Sequence, residues 1–99
     1  MLRALEPDDS PRRAYLVPWH VDRSDPRHPV VVNAGLDALD FVRLFTDGPH
    51  VATTEHWGQV LPAETVRLCF CDVDTDDLTM TVVWFRPDTG EEYCWRFVL

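Results

Sequence analysis

Residues 72–77, Asp-Val-Asp-Thr-Asp-Asp, offer the most conspicuous set of cation-ligating side chains in the sequence. The alternating aspartates begin like a calcium-binding loop. Asp77, however, stands where the sharp turn requires Gly, and Val83 stands where a bidentate Glu is needed. The same carboxylates suit a different task, contacting a basic protein surface. The histidines His20, His28, His50 and His56 never recur at the i, i+4 spacing of a helical zinc pair. Glu55 and His56 are adjacent, and neighbours on a strand point to opposite faces, so they make a poor acid/base pair. Cys69 and Cys71 are two apart and share one face of a strand, while Cys94 lies on another. With no fourth ligand at finger-like spacing, the three read as small hydrophobes rather than as a metal site. A Cys–His nucleophile would require Cys69, Cys71 or Cys94 to meet His50 in space. Ser10 and Ser24 lie in the Pro-rich front, and Gly35, Gly48, Gly58 and Gly90 are isolated, so neither a serine triad nor a phosphate loop is indicated. No catalytic residue, metal or cofactor is implied, and an enzyme is not expected.

Charge narrows the partners. All nine basic side chains are Arg, against seventeen Asp and Glu, for a formal net charge of −8. Residues 1–28 are balanced, so the whole excess belongs to residues 29–99. Such a surface repels phosphate, which disfavours direct nucleic-acid binding and favours a basic protein. The odd cysteine count argues against a secreted disulfide framework. Residues 1–14 lack the apolar stretch of a secretion leader, and no segment is apolar for long enough to span a membrane. A cytoplasmic location is expected.

The elements that would position these groups can be read from periodicity. At 99 residues the chain is expected to form a single domain, with residues 1–14 a candidate for N-terminal disorder. Five of the eight prolines lie in the first third, which leaves room for one edge strand over residues 15–21 and a polar loop over 22–29. Residues 30–32 are β-branched. A helix is expected over about residues 35–46, with Asn33 as its cap, Leu36, Leu39 and Arg43 along one side, Ala38, Phe41, Val42 and Phe45 in an adjacent stripe at helical spacing, and Thr46-Asp47-Gly48-Pro49 as its stop. Beyond it, residues 50–55, 66–73, 78–86 and 92–99 read as strands, with a turn over 56–59. Arg86 to Glu91 is a hairpin turn, with Pro presetting φ and Gly90 supplying a positive one. Pairing Arg86 with Glu91 sets Met80, Val82 and Trp84 opposite Phe97, Trp95 and Tyr93 on one aromatic face. Residues 66–73 are expected to pair with the same strand. The expected fold is therefore α+β: an antiparallel sheet of about five to six strands with one helix packed on one face.

Size and charge together suggest a small acidic inhibitor that covers a basic, nucleic-acid-handling protein. Immunity proteins that neutralise toxins, and phage proteins that disarm bacterial defence complexes such as CRISPR effectors, share this general profile. The expected contacts are Asp72, Asp74, Asp76 and Asp77, joined by Glu91 and Glu92 from the adjoining hairpin, with Trp19 and Trp57 as exposed aromatic anchors. The alternative is a self-associating homodimer joined through Val83, Phe85 and Val98 on the second sheet face. A pocket between helix and sheet, lined by Trp and Cys, would instead bind a small ligand.

Overall fold

A computed structural model of the chain describes residues 2–4, 16–71 and 74–99, with residues 2–4 placed by their backbone alone. Eight strands follow in order: β1 Leu2–Ala4, β2 Trp19–Asp22, β3 Val30–Asn33, β4 Leu39–Asp47, β5 Ala52–Val60, β6 Thr65–Arg67, β7 Thr79–Phe85 and β8 Glu92–Val98. They form a five-stranded sheet, β1-β8-β7-β4-β5, and a three-stranded sheet, β2-β3-β6. All pairings are antiparallel except that of β1 with β8. The expectation of disorder over residues 1–14 lies, apart from β1, outside the described residues.

No helix occurs among the described residues, so the expected α+β fold with a helix over 35–46 is overturned: the protein is all-β. The reason is visible in β4. Val42, Leu44 and Thr46 point inward in strict alternation, and only the step from Leu39 to Val42 skips two residues. That step is a β-bulge, with register shifts on both sides of Val42 and Phe41 at φ +50°. One inserted residue turned a period of two into a local spacing of three, which is how a strand imitated a helix. The supposed helix cap has a related role. Asn33 is fully buried; its amide donates to the carbonyls of Asp37 (2.9 Å) and Val60 (3.1 Å). Its side-chain oxygen accepts the Gly35 N–H at 3.0 Å. An Asx turn closes the 34–38 loop where a capped helix was expected.

The hairpin of β7 and β8 has the register read from its faces, with Met80, Val82 and Trp84 opposite Phe97, Trp95 and Tyr93. The Arg86 N–H donates to the Glu91 carbonyl at 2.9 Å, and Gly90 takes φ +69°. The other expected pairings fail. Residues 65–67 pair with β3 in the second sheet, and β7 takes β4 as its other neighbour. The turn expected over 56–59 is absent: β5 runs through it, with Gly58 at φ +68° opposite the bulge at Val42.

One apolar cluster joins the two sheets. Leu39, Val42, Leu44, Met80, Val82, Trp84, Tyr93 and Phe97 come from one side, and Trp19, Val21 and Val31, followed by Leu68 and Phe70, come from the other. The second sheet occupies the place assigned to the helix, since any element with one apolar face can cover the first. Each large side chain fully buried here contributes about 1.5–3 kcal/mol. No helix among the described residues is long and apolar enough to cross a membrane.

Candidate functional site

Among the described residues, the surface of the sandwich offers three places that could do something: the outer face of each sheet and a cleft at one end. The outer face of the five-stranded sheet carries Phe41, Phe45, Phe85 and Val98. Phe41 is 71% exposed, Val98 62% and Phe45 38%. Phe41 is held there by neighbours. Its ring stands edge-on to Phe85 at 5.8 Å, and Arg43 Nε donates to its carbonyl at 3.1 Å. Arg43 also lies over the Phe85 ring and pairs with Glu92 of β8. A bulky side chain at positive φ is costly and persists only where its surroundings fix it. Here Arg43 supplies that constraint, at the cost of a solvent-facing aromatic ring.

The acidic residues expected to form one contact are divided by this topology. Asp74, Asp76 and Asp77 are exposed on the loop that leads into β7. Asp72 lies outside the described residues. Glu91 and Glu92 sit beyond the opposite end of β7, across a seven-residue strand. At about 3.3 Å per residue the two groups are some 20 Å apart. Glu92 is moreover engaged with Arg43, and Glu91 accepts the Tyr93 hydroxyl at 3.3 Å. Asp74 accepts the Asp76 N–H at 3.0 Å, which shapes the loop and leaves Asp76 and Asp77 at its exposed tip. Neither Trp behaves as the exposed anchor expected. Trp19 is 5% exposed in the core, wedged edge-on between Trp57 and Trp84. Trp57 is half-buried against it. On the outer face of the five-stranded sheet the exposed large apolar side chains are Phe41, Phe45 and Val98, while Leu16, Leu36 and Leu61 are exposed elsewhere; the helix expected over 35–46 concealed Phe41 in the sequence.

The outer face of the three-stranded sheet holds a different constellation. Leu68 and Phe70 point into the core, so Cys69 and Cys71 point out together. Beyond β6 the chain continues to pair: the N–H groups of Leu68 and Phe70 donate to the carbonyls of Pro29 and Arg27, each at 2.8 Å. The register that sets Val30 opposite Arg67 therefore carries on and sets His28 opposite Cys69. His28 Nε2 lies 3.2 Å from Cys71 Sγ, and Cys71 Sγ lies 2.9 Å from Cys69 Sγ. His28 Nδ1 meets Asp25 Oδ2 at 3.1 Å, and Asp25 in turn accepts the Arg27 N–H at 3.0 Å. The His28 ring, then the Arg27 N–H, hold the Asp25 carboxyl below its usual range. Cys94 stands apart, half-buried on the far side of the sandwich, where burial pushes its thiol upward. Cys71 thus meets His28 and not His50, because residues 27–29, a loop by sequence, pair with the chain beyond β6.

The third place is a cleft of about 720 Å³ between Pro18, the 34–37 loop and the 86–91 turn. Neither Trp nor Cys lines it, unlike the pocket expected between helix and sheet. No protein-family model matches the chain, and neither a curated protein nor a solved structure does so.

Proposed function

We propose that this chain is a non-enzymatic protein-binding domain that acts in the cytoplasm by covering a basic partner. The observation that carries the reading is Phe41, an aromatic ring exposed on a bulge with positive φ and propped by Arg43. Strain kept at an exposed aromatic side chain is characteristic of a binding anchor, and aromatic residues concentrate binding energy at interfaces. Phe45, Phe85 and Val98 extend the apolar patch around it. Asp47 at the end of β4, together with Asp76 and Asp77 beside it, forms an acidic rim that would steer a positively charged protein onto the face. The net charge of −8 acts in the same direction and opposes binding to nucleic acid itself. An inhibitor of a nucleic-acid-handling protein fits both features.

The test is capture from host lysate with the tagged chain, washed at low and at high salt, beside Phe41→Ser and a triple Asp74, Asp76, Asp77→Asn variant. A basic protein retained by the parent chain, released by salt and lost with Phe41→Ser supports the reading. Equal retention by Phe41→Ser removes the face from it. The same exposed face favours one second reading, a homodimer through Phe85 and Val98. Sedimentation that gives a dimer dissociated by Phe85→Glu would establish it, and a monomeric parent chain would dismiss it.

A further inference from the structure

We propose that His28, Cys69 and Cys71 form a zinc site on the outer face of the three-stranded sheet, independent of the partner-binding face. Three donor atoms from this cluster, one imidazole nitrogen and two sulfurs, lie within 4.8 Å of one another. They are brought together by β pairing between segments some 40 residues apart, with Leu68 and Phe70 anchored in the core beneath them. The imidazole is oriented as a ligand. In the tautomer whose Nδ1–H donates to the Asp25 carboxylate, the Nε2 lone pair faces Cys71 Sγ, the carboxylate–histidine arrangement that accompanies zinc-bound histidines.

The donor set selects the ion. Two thiolates with one imidazole suit a borderline-soft d¹⁰ cation such as Zn²⁺, and exclude Ca²⁺ and Mg²⁺, which take oxygen donors. Tetrahedral bonds of about 2.3 Å to sulfur place two thiolates about 3.7 Å apart. The exposed Cys69 and Cys71 side chains would separate by less than 1 Å from their 2.9 Å contact to reach that spacing. On binding, each thiol releases its proton to solvent, His28 contributes its Nε2 lone pair, and a fourth donor such as water completes the tetrahedron.

Cobalt is the direct probe. The whole chain, reduced and freed of metal, should bind one equivalent of Co²⁺ and develop the thiolate-to-cobalt charge-transfer band and the intense visible bands of a tetrahedral site. Zn²⁺ should displace it. In competition with a chromophoric chelator, Cys69→Ser, Cys71→Ser and His28→Ala should each weaken Zn²⁺ binding at least as much as loss of a supporting partner, which costs about 10–100-fold. Asp25→Asn should cost about tenfold. Cys94→Ser should change nothing, and circular dichroism of every variant checks that it is folded. Absence of the charge-transfer band would overturn the proposal. So would binding that survives His28→Ala, or a chain that isolates with Cys69 and Cys71 joined as a disulfide and takes up no metal after reduction. None of these readouts involves the partner-binding face, so a failed capture experiment leaves them intact.

Discussion

On the outer face of the three-stranded sheet two cysteines lie beside a histidine and a carboxylate. On the outer face of the five-stranded sheet a third cysteine, Cys94, lies between Glu92 and Arg96 on its own strand and opposite Val83 on the next. The residue type is the same and the surroundings are opposite. Around Cys69 and Cys71, cross-strand register supplies a nitrogen donor and opens the group to solvent. Around Cys94, register supplies Val83, and partial burial raises the thiol pKa. The five-stranded face has instead kept exposed aromatic rings, with Phe41 set on a bulge by Arg43. Each face thus owes its chemistry to what the neighbouring strand places beside a residue, and the two are suited to different ligands.

The comparison can be broken at several points. The largest effect is expected on β4, where successive residues face core and solvent. Leu44→Ala should cost about 2–5 kcal/mol in urea unfolding, whereas Phe45→Ala should cost much less. Equal losses would mean that the outer face is itself covered. Asn33→Ala leaves the buried carbonyl of Val60, and the part-buried one of Asp37, without their donor and should cost about 1–3 kcal/mol by the same measurement. Phe41→Gly separates binding from stability. Relief of the left-handed backbone gives back about 1–2 kcal/mol, and glycine's added chain entropy removes about 0.5–1 of it. Stability should hold or rise slightly while partner capture falls. A substantial loss of stability would make Phe41 a packing residue and not an anchor.

Thiol labelling compares the two faces directly. In metal-free protein near neutral pH, Cys69 and Cys71 should react with iodoacetamide several-fold faster than Cys94, whose thiolate fraction is reduced by burial. Peptide mass spectrometry would read the order, and the reverse order would mean that burial does not restrain Cys94. The smallest effect concerns acid. The Ser24 hydroxyl, then its N–H, hold the Asp22 carboxyl below its usual range. A lowered folded-state pKa contributes stability that is present above the unfolded value, near pH 4, and is lost as the pH falls through the lowered one. Asp22→Asn should therefore flatten the acid limb of the stability curve slightly and leave neutral pH almost unchanged.

The sequence by itself determined the elements governed by neighbouring residues. Alternation from Thr79 to Phe85 and from Glu92 to Val98, with Pro87 and Gly90 between, sufficed for that hairpin, its register and its aromatic inner face. Composition alone likewise carried the acidic charge. Tertiary structure decided everything that depended on a distant strand. It turned the Leu39-to-Val42 spacing into a bulge, because Gly58 on β5 and Phe85 on β7 accommodate the inserted residue. It buried Trp19 against Trp57 and Trp84, and it sent residues 65–67 to β3 instead of β7. Through that last pairing His28 came opposite Cys69. The physical reason is common to all three: side-chain direction along a strand is a local property of period two, but which strand lies alongside is settled by burial of the whole apolar surface.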